Sequence, residues 1–316
     1  MGMSVRFGAV CWGQYSTWLP LLAAAAAVDR AGYHSLWCTD HLYAIHGRST
    51  GPIFDGWATL AAWATVTRQV RLGLMVAANT FRRPELTARL AVTLDHVSGG
   101  RAILGIGAGW YEREHRAFGL PFGAGPAERL RWLETTLRFV RPLLDGRAES
   151  ADVPVPGSAA SAGGPRVACP RPLQTRLPIL VGGGGEQVTL RLVASWADMN
   201  NIGGGIDAVR RKEAVLRQQC ETVGRDPAEI ERTAGVGIVV IRNRMEDAVR
   251  AYRGIMAANG GADIAGQTVG PPAEVAATLA PYLELGYRHL VAEFPAPYDV
   301  ESITRLVAEV GPMLGA

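Results

Sequence analysis

Lysine is almost missing from this chain. Lys212 is the only one, and the remaining basic charge is arginine scattered along the sequence. With a formal net charge of +3 and no basic tail, nothing points to a nucleic-acid partner. Cysteine is equally sparse. Cys11, Cys38, Cys169 and Cys220 stand far apart and form no C-x-x-C pair. That spacing argues against a structural zinc site or a disulfide framework and suits a reducing, cytoplasmic location. Long apolar runs are absent too. The richest window, 21–28, is eight residues long and is closed by Asp29 and Arg30, whereas a membrane span needs roughly 20 apolar residues. Gln14, Tyr15, Ser16 and Thr17 interrupt any signal-peptide core, and Arg6 stands where a myristoylation signal wants Ser or Thr. A membrane partner is therefore not expected.

What is present is an alternation of two periods. Strand-like apolar segments at 5–10, 34–39, 70–77, 102–106, 177–181, 197–202, 235–241 and 289–294 are each followed by a helical pattern. The clearest helix, 127–144, carries Leu130, Leu133, Leu137, Val140 and Leu144 at alternating steps of three and four. Eight βα units in 316 residues, without a composition shift, predict one (β/α)8 TIM barrel over 1–316. Two stretches break the pattern, 146–176 and 259–269, and read as insertion loops. A doubly wound open sheet is the alternative. It usually carries a glycine fingerprint after the first strand, and Val10-Cys11-Trp12-Gly13-Gln14 is not one.

In a barrel the residues just after each strand face the active end. Here these are Trp12 and Gln14, then Asp40 and His41, then Ala78, Asn79 and Thr80. Gly107, Ala108, Gly109, Trp110 and Tyr111 follow the fourth strand, Gly182 to Gly185 the fifth, and Asn200 and Asn201 the sixth. The two glycine-rich turns can present backbone N–H groups to a phosphate. The G-x-G-x-G spacing at 105–109 is not that of a dinucleotide fold. His41 and Asp40 are the obvious proton-transfer groups. A metal set of Asp40, His41 and Asp198 can be assembled, but the spacing does not ask for one, so no metal is expected. Each residue also has a plainer reading. The glycines can make tight turns, Asp40 can cap a helix, His41 can be a hydrogen-bonded core histidine, and Trp12 and Trp110 can be packing.

The segments LWCTDHL at 36–42, VRLGLMVAANTFRRPELTARLAVTLDHVSGGRAILGIGAGWYEREHRAFG at 70–119, LPILVGGGGEQVTLRLVASWADMNN at 177–201 and VGRDPAEI at 223–230 occur in order. Together they resemble the bacterial luciferase-like monooxygenase superfamily, and more narrowly its branch that uses coenzyme F420, an 8-hydroxy-5-deazaflavin. The resemblance weakens after about residue 242. It implies a barrel with the cofactor at the C-terminal face, and a homodimer. By the resemblance Gly107, Ala108, Gly109 and Tyr111 match one phosphate cradle, and Gly182, Gly183 and Gly184 the other. Asp40 and His41 match the pair beside the ring, with His41 as catalytic proton donor or acceptor. A non-proline cis peptide at Met75–Val76, or one residue later, supports the ring, which brings Met75, Val76, Ala77 and Asn79 to the cofactor. Trp12 and Trp110 are left for a small-molecule substrate. Arg82, Arg83 and Arg166 are candidates for the cofactor's acidic tail. The expected activity is hydride transfer between the deazaflavin C5 and an organic substrate. The alternatives are an FMN-dependent monooxygenase using O2, a barrel that binds a phosphorylated ligand without redox chemistry (an isomerase or lyase), and a catalytically silent cofactor binder.

Overall fold

A computed structural model describes residues 4–147, 170–261 and 263–315. Eight parallel strands close on themselves. In barrel order they are β1 (Arg6–Cys11), β2 (Ser35–Cys38), β3 (Arg71–Leu74), β5 (Ala102–Gly107), β6 (Ile179–Gly182), β7 (Met199–Ile202), β8 (Glu231–Ile241) and β10 (His289–Phe294), which returns to β1. Two short pieces lie outside the ring path. β4 (Ala77–Ala78) continues the line of β3 along β5, and β9 (Thr268–Gly270) pairs with the end of β8. The barrel expected from the alternation is therefore the fold.

Period two sorts each strand. Alternate residues Val10, Trp37, Ile103, Leu180, Met199, Ile238 and Val291 fill the barrel, and the others pack against the helices. Trp37 is fully buried, and the neighbouring strand makes room for it at Gly73, where a Cβ would lie 2.7 Å from the indole. The surrounding helices are α1 (Trp18–Ala31), α2 (Gly56–Val66), α3 (Pro84–Ser98), α4 (Glu112–Phe118), α5 (Pro126–Leu144), α6 (Thr189–Trp196), α7 (Gly205–Val223), α8 (Met245–Ala258), α9 (Pro272–Glu284) and α10 (Val300–Arg305). No described helix is long and apolar enough to cross a membrane.

Three details differ from the sequence reading. β8 begins at Glu231 rather than 235, because the polar start of the strand, Glu231-Arg232-Thr233, pairs with β7 and hides the apolar period. The stretch 259–269 is not wholly irregular, since Thr268 opens β9 and donates its hydroxyl to the Val236 carbonyl (2.7 Å). Three residues are too few to show a period. Most of the expected 146–176 loop, with Cys169 and Arg166, lies outside the described residues.

Candidate active site

The residues after β2 build the centre of the C-terminal face. Asp40 is buried and accepts hydrogen bonds from the Ala78 N–H (3.0 Å) and from Arg82 Nη1 (2.7 Å). It thereby ties the end of β2 to β4. Burial pushes its pKa up to about 6, against the pull of Arg82. His41 points the other way. Its Nδ1 lies 3.0 Å from Oε1 of Glu114, whose other oxygen accepts the Leu42 N–H (2.8 Å) and the Tyr43 N–H (3.4 Å). Glu114 sits in the first turn of α4 and is 1% exposed. As an ionised carboxylate it only accepts, so the Nδ1 of a neutral His41 carries the proton. Nε2 of His41 has no partner among the described residues.

His41 lines a cavity of about 260 Å³ together with Val10, Trp12, Thr39, His46, Met75, Trp110 and Glu293. Trp12 lies flat on His46, with ring centroids 4.4 Å apart and planes 5° apart, and its indole N–H donates to Glu293 Oε2 (3.0 Å). Trp110 is 62% exposed at the rim and meets His41 edge-on at 5.4 Å. Tyr111 stands 6.2 Å from His41 and caps the start of α4. A second, smaller cavity of about 130 Å³ continues along Asp40, Val76, Ala77, Ala78 and Gly109.

The Met75–Val76 peptide is cis, the first of the two positions expected from the resemblance. This segment explains part of the glycine pattern. A Cβ at Gly107 or at Gly182 would lie 2.7 Å from a Val76 methyl, and one at Gly105 would run into the Leu74 carbonyl. These three glycines therefore admit the 74–76 segment. The remaining glycines serve the turns themselves, and Gly183 donates its N–H to the Asn201 carbonyl (3.1 Å). Gly109 (φ 77°) and Gly183 (φ 109°) are left-handed. Arg129 Nε fixes the Gly109 carbonyl (3.0 Å), and Asn200 Nδ2 fixes those of Val181 (2.7 Å) and Gly183 (3.3 Å). Lys212, on α7, places its ammonium 2.8 Å from where a Gly184 Cβ would sit, and has no hydrogen bond or ion pair among the described residues. Ala108 is half-buried against the outer core. Asn79 is buried, donates its N–H to the Gly107 carbonyl (2.9 Å), and leaves Oδ1 without a partner.

The structure thus gathers Asp40, His41, Met75, Val76, Ala77, Gly109, Trp12 and Trp110 around two adjoining cavities. It does not gather Asp198, which precedes β7 at the opposite end and bonds to Arg141 (3.0 Å), Arg176 (2.6 Å) and the Ile179 N–H (2.8 Å). The metal set of Asp40, His41 and Asp198 does not exist. Arg82 and Arg83 already pair with Asp40 (2.7 Å) and Glu85 (3.1 Å). Glu114, Glu293 and His46 escaped the sequence reading. Glu293 had a signal, an acid at an inward position of an apolar strand. Glu114 had none, because its partner is 73 residues away.

A second polar cluster closes the N-terminal end of the barrel. Trp37 donates to Ser35 Oγ (2.7 Å), the Ser35 hydroxyl to His289 Nε2 (2.8 Å), and His289 Nδ1 to Glu231 Oε1 (2.8 Å). Ligand atoms of His34, Glu231 and His289 lie within 4.8 Å of one another. Arg6 occupies their midst, 2.9 Å from Glu231 and 3.3 Å from His34 Nε2. A guanidinium in that position satisfies the cluster without a metal.

Comparison with known proteins agrees with this architecture. An uncharacterised protein of Mycobacterium tuberculosis is 33% identical over 144 residues, 46% of this chain, and the match spans about half (48%) of that protein's length. Among solved structures, the coenzyme F420-dependent tetrahydromethanopterin reductase of Methanopyrus kandleri superposes with a TM-score of 0.76 at 19% identity, over 99% of this chain and 100% of the other. The oxygenating constituent of 3,6-diketocamphane monooxygenase from Pseudomonas putida, in complex with FMN, gives 0.75 at 16% identity over 99% of both chains. At such identities the likeness establishes the fold, and the neighbours include both deazaflavin and flavin proteins. The sequence itself matches the luciferase-like monooxygenase family over residues 1–284. With the closed parallel barrel and the match over most of its length, the chain belongs to the luciferase-like monooxygenase family.

Proposed function

We propose that this protein is an F420-dependent oxidoreductase that moves a hydride between the deazaflavin C5 and a small organic substrate. The observation that carries the reading is the His41–Glu114 pair. Glu114 fixes the imidazole by Nδ1 and leaves Nε2 on the cavity wall. Hydride transfer to or from an oxygen- or nitrogen-bearing carbon needs one matching proton, and a single oriented imidazole supplies or accepts it.

The residues present fit a flat, phosphorylated cofactor. Asn79 offers a buried, unpartnered Oδ1 beside the glycine turns. Gly109 and Gly184 would hold the phosphate by backbone N–H groups, with Gly183, whose own N–H donates to the Asn201 carbonyl, shaping the second turn and Lys212 as counter-charge. Asp40, Met75, Val76 and Ala77 would lie along the ring. The cofactor, when bound, supplies the hydride chemistry. The chain orients it, excludes water and handles the proton at His41 Nε2.

The same cradles accept the phosphate of FMN, and an FMN protein superposes as well as an F420 protein. An FMN-dependent monooxygenase is therefore the second reading. Parallel fluorescence titrations with F420 and FMN separate the two. Micromolar F420 binding with much weaker FMN binding supports hydride transfer, preferential FMN binding overturns it, and binding of neither undermines both cradles.

A homodimer is also proposed. α2 carries no charged residue, and Val66 on α2 and Leu86 and Val97 on α3 are 38%, 56% and 45% exposed. Sedimentation equilibrium reads the dimer directly.

A further inference from the structure

Glu293 is the one acid in the lining of the His41 cavity, and the reaction described above does not use it. It is the inward, next-to-last residue of β10, in the row His289, Val291, Glu293. Opposite it, β8 carries one extra residue. Val291 pairs with Gly235 but Glu293 pairs with Ile238, and Gly237 turns left-handed between them (φ 74°). Bulges of this kind re-aim a side chain beside a functional site.

The carboxyl is held from one side only. Trp12 Nε1 donates to Oε2, and Trp12 is itself fixed by its stack on His46 and by the Tyr298 hydroxyl, which donates to the Trp12 carbonyl (2.6 Å). Oε1 has no partner among the described residues. The other titratable groups of the lining are His41 and His46, and the lining holds no arginine or lysine. Burial without a counter-charge raises the pKa of Glu293. With Oε2 accepting from Trp12, the proton of the neutral acid belongs on Oε1.

We propose that Glu293 is a substrate-binding residue that donates a hydrogen bond from Oε1 to a substrate oxygen, so that the substrate class is a small carbonyl compound or the corresponding alcohol. The donor polarises a carbonyl toward hydride acceptance while its own proton stays in place. His41, on the same cavity wall, remains the group that exchanges the proton. The assignment of the oxygen to a reacting centre rests on the oxidoreductase reading, whereas the carbonyl-binding site does not.

Infrared difference spectroscopy on the purified full chain without cofactor tests the site, with cyclohexanone as probe and methylenecyclohexane as its shape control. At neutral pH the wild type is expected to show the carbonyl stretch of a protonated carboxylic acid, absent in Glu293→Gln. Cyclohexanone should shift that band and red-shift its own carbonyl stretch. Methylenecyclohexane should do neither. Glu293→Gln, which keeps a donor and an acceptor for Trp12, should retain part of the ketone shift, and Glu293→Leu should lose it. An ionised Glu293 at pH 7, no ketone shift in the wild type, or an equal shift in Glu293→Leu overturns the proposal. F420 and FMN titrations of Glu293→Gln are expected to match wild type, and a tenfold loss of cofactor affinity would also overturn it by assigning Glu293 to the cofactor. Failure of F420 to bind the wild type would sink the hydride-transfer reading and leave the ketone result standing.

Discussion

The N-terminal end of the barrel holds His34, His289 and Glu231, and the C-terminal end holds His41, Glu114 and Glu293. Both are trios of imidazoles and carboxylates set at the ends of strands and the turns beside them. At the N-terminal end the chain of donors from Trp37 through Ser35 and His289 reaches Glu231, and Arg6 completes it. At the C-terminal end, His41 Nε2, Glu293 Oε1, Asn79 Oδ1 and the Lys212 ammonium have no partner among the described residues. Residue types do not separate structural from chemical clusters. The separation lies in whether the last polar atom meets protein or cavity, because a buried polar group is stable only when hydrogen-bonded.

The largest expected effect that tests this contrast is at His41. His41→Ala should lower turnover by about 10²- to 10⁴-fold while cofactor titration and thermal midpoint stay near wild type. A loss of folding stability comparable with that of an N-terminal-end variant would erase the distinction. Glu231→Gln is the mirror experiment. It leaves His289 and the part-exposed Arg6 without their anion, and each hydrogen bond to a charged group that is lost costs about 1.5–3 kcal/mol. Urea unfolding should show that loss, and turnover per folded molecule should not change. A smaller effect is expected at Lys212. Removing a charge-assisted contact costs about 1.5–3 kcal/mol, so Lys212→Ala should weaken cofactor binding roughly tenfold or more and flatten its salt dependence, with no change in the unfolding of the free chain. Equal affinity in the variant would detach the lone lysine from the phosphate cradle.

Much of this was legible in the chain. The βα alternation yields the barrel because inward and outward rows of a strand differ in kind. The position of Asp40 and His41 just after β2 follows from the same count. The glycines were only half legible. Spacing alone cannot tell Gly107 and Gly182, which admit Val76, from Gly109 and Gly183, whose backbone is left-handed, and it cannot show that the Gly183 N–H is taken by the Asn201 carbonyl (3.1 Å). Glu114 was illegible for another reason. Its role exists only once α4 is laid against the turn after β2, and no local pattern encodes that contact. Asp198 shows the converse, since a residue of suitable type was placed at the wrong end of its strand.

The two ends should also respond to acid with opposite sign, the subtlest expected effect. At the N-terminal end, burial and the neighbouring His289 and Arg6 bring His34 down to about 4 from 6.5, and burial also lowers His289. Burial pushes Glu231 up, but the hydrogen bond from His289 and the charge of Arg6 outweigh it and hold the carboxyl at about 2, below its usual 4.5. For all three groups the unfolded chain binds more protons as pH falls. Their stabilisation is full above pH 6.5 for the histidines and above 4.5 for Glu231, and is lost toward 4 and 2. At the C-terminal end, burial raises Asp40 to about 6 from 3.8 and raises Glu293 as well. There the folded chain binds more protons, so that contribution is full below pH 3.8 and is lost as pH rises through 6. Between pH 6.5 and 4.5 the two ends oppose each other, each group changing stability by at most about 1.4 kcal/mol per pH unit. Thermal midpoints across that window should therefore fall more steeply on acidification in Asp40→Asn than in wild type, and less steeply in His34→Gln. Parallel curves for all three proteins would show that neither end titrates apart from the other.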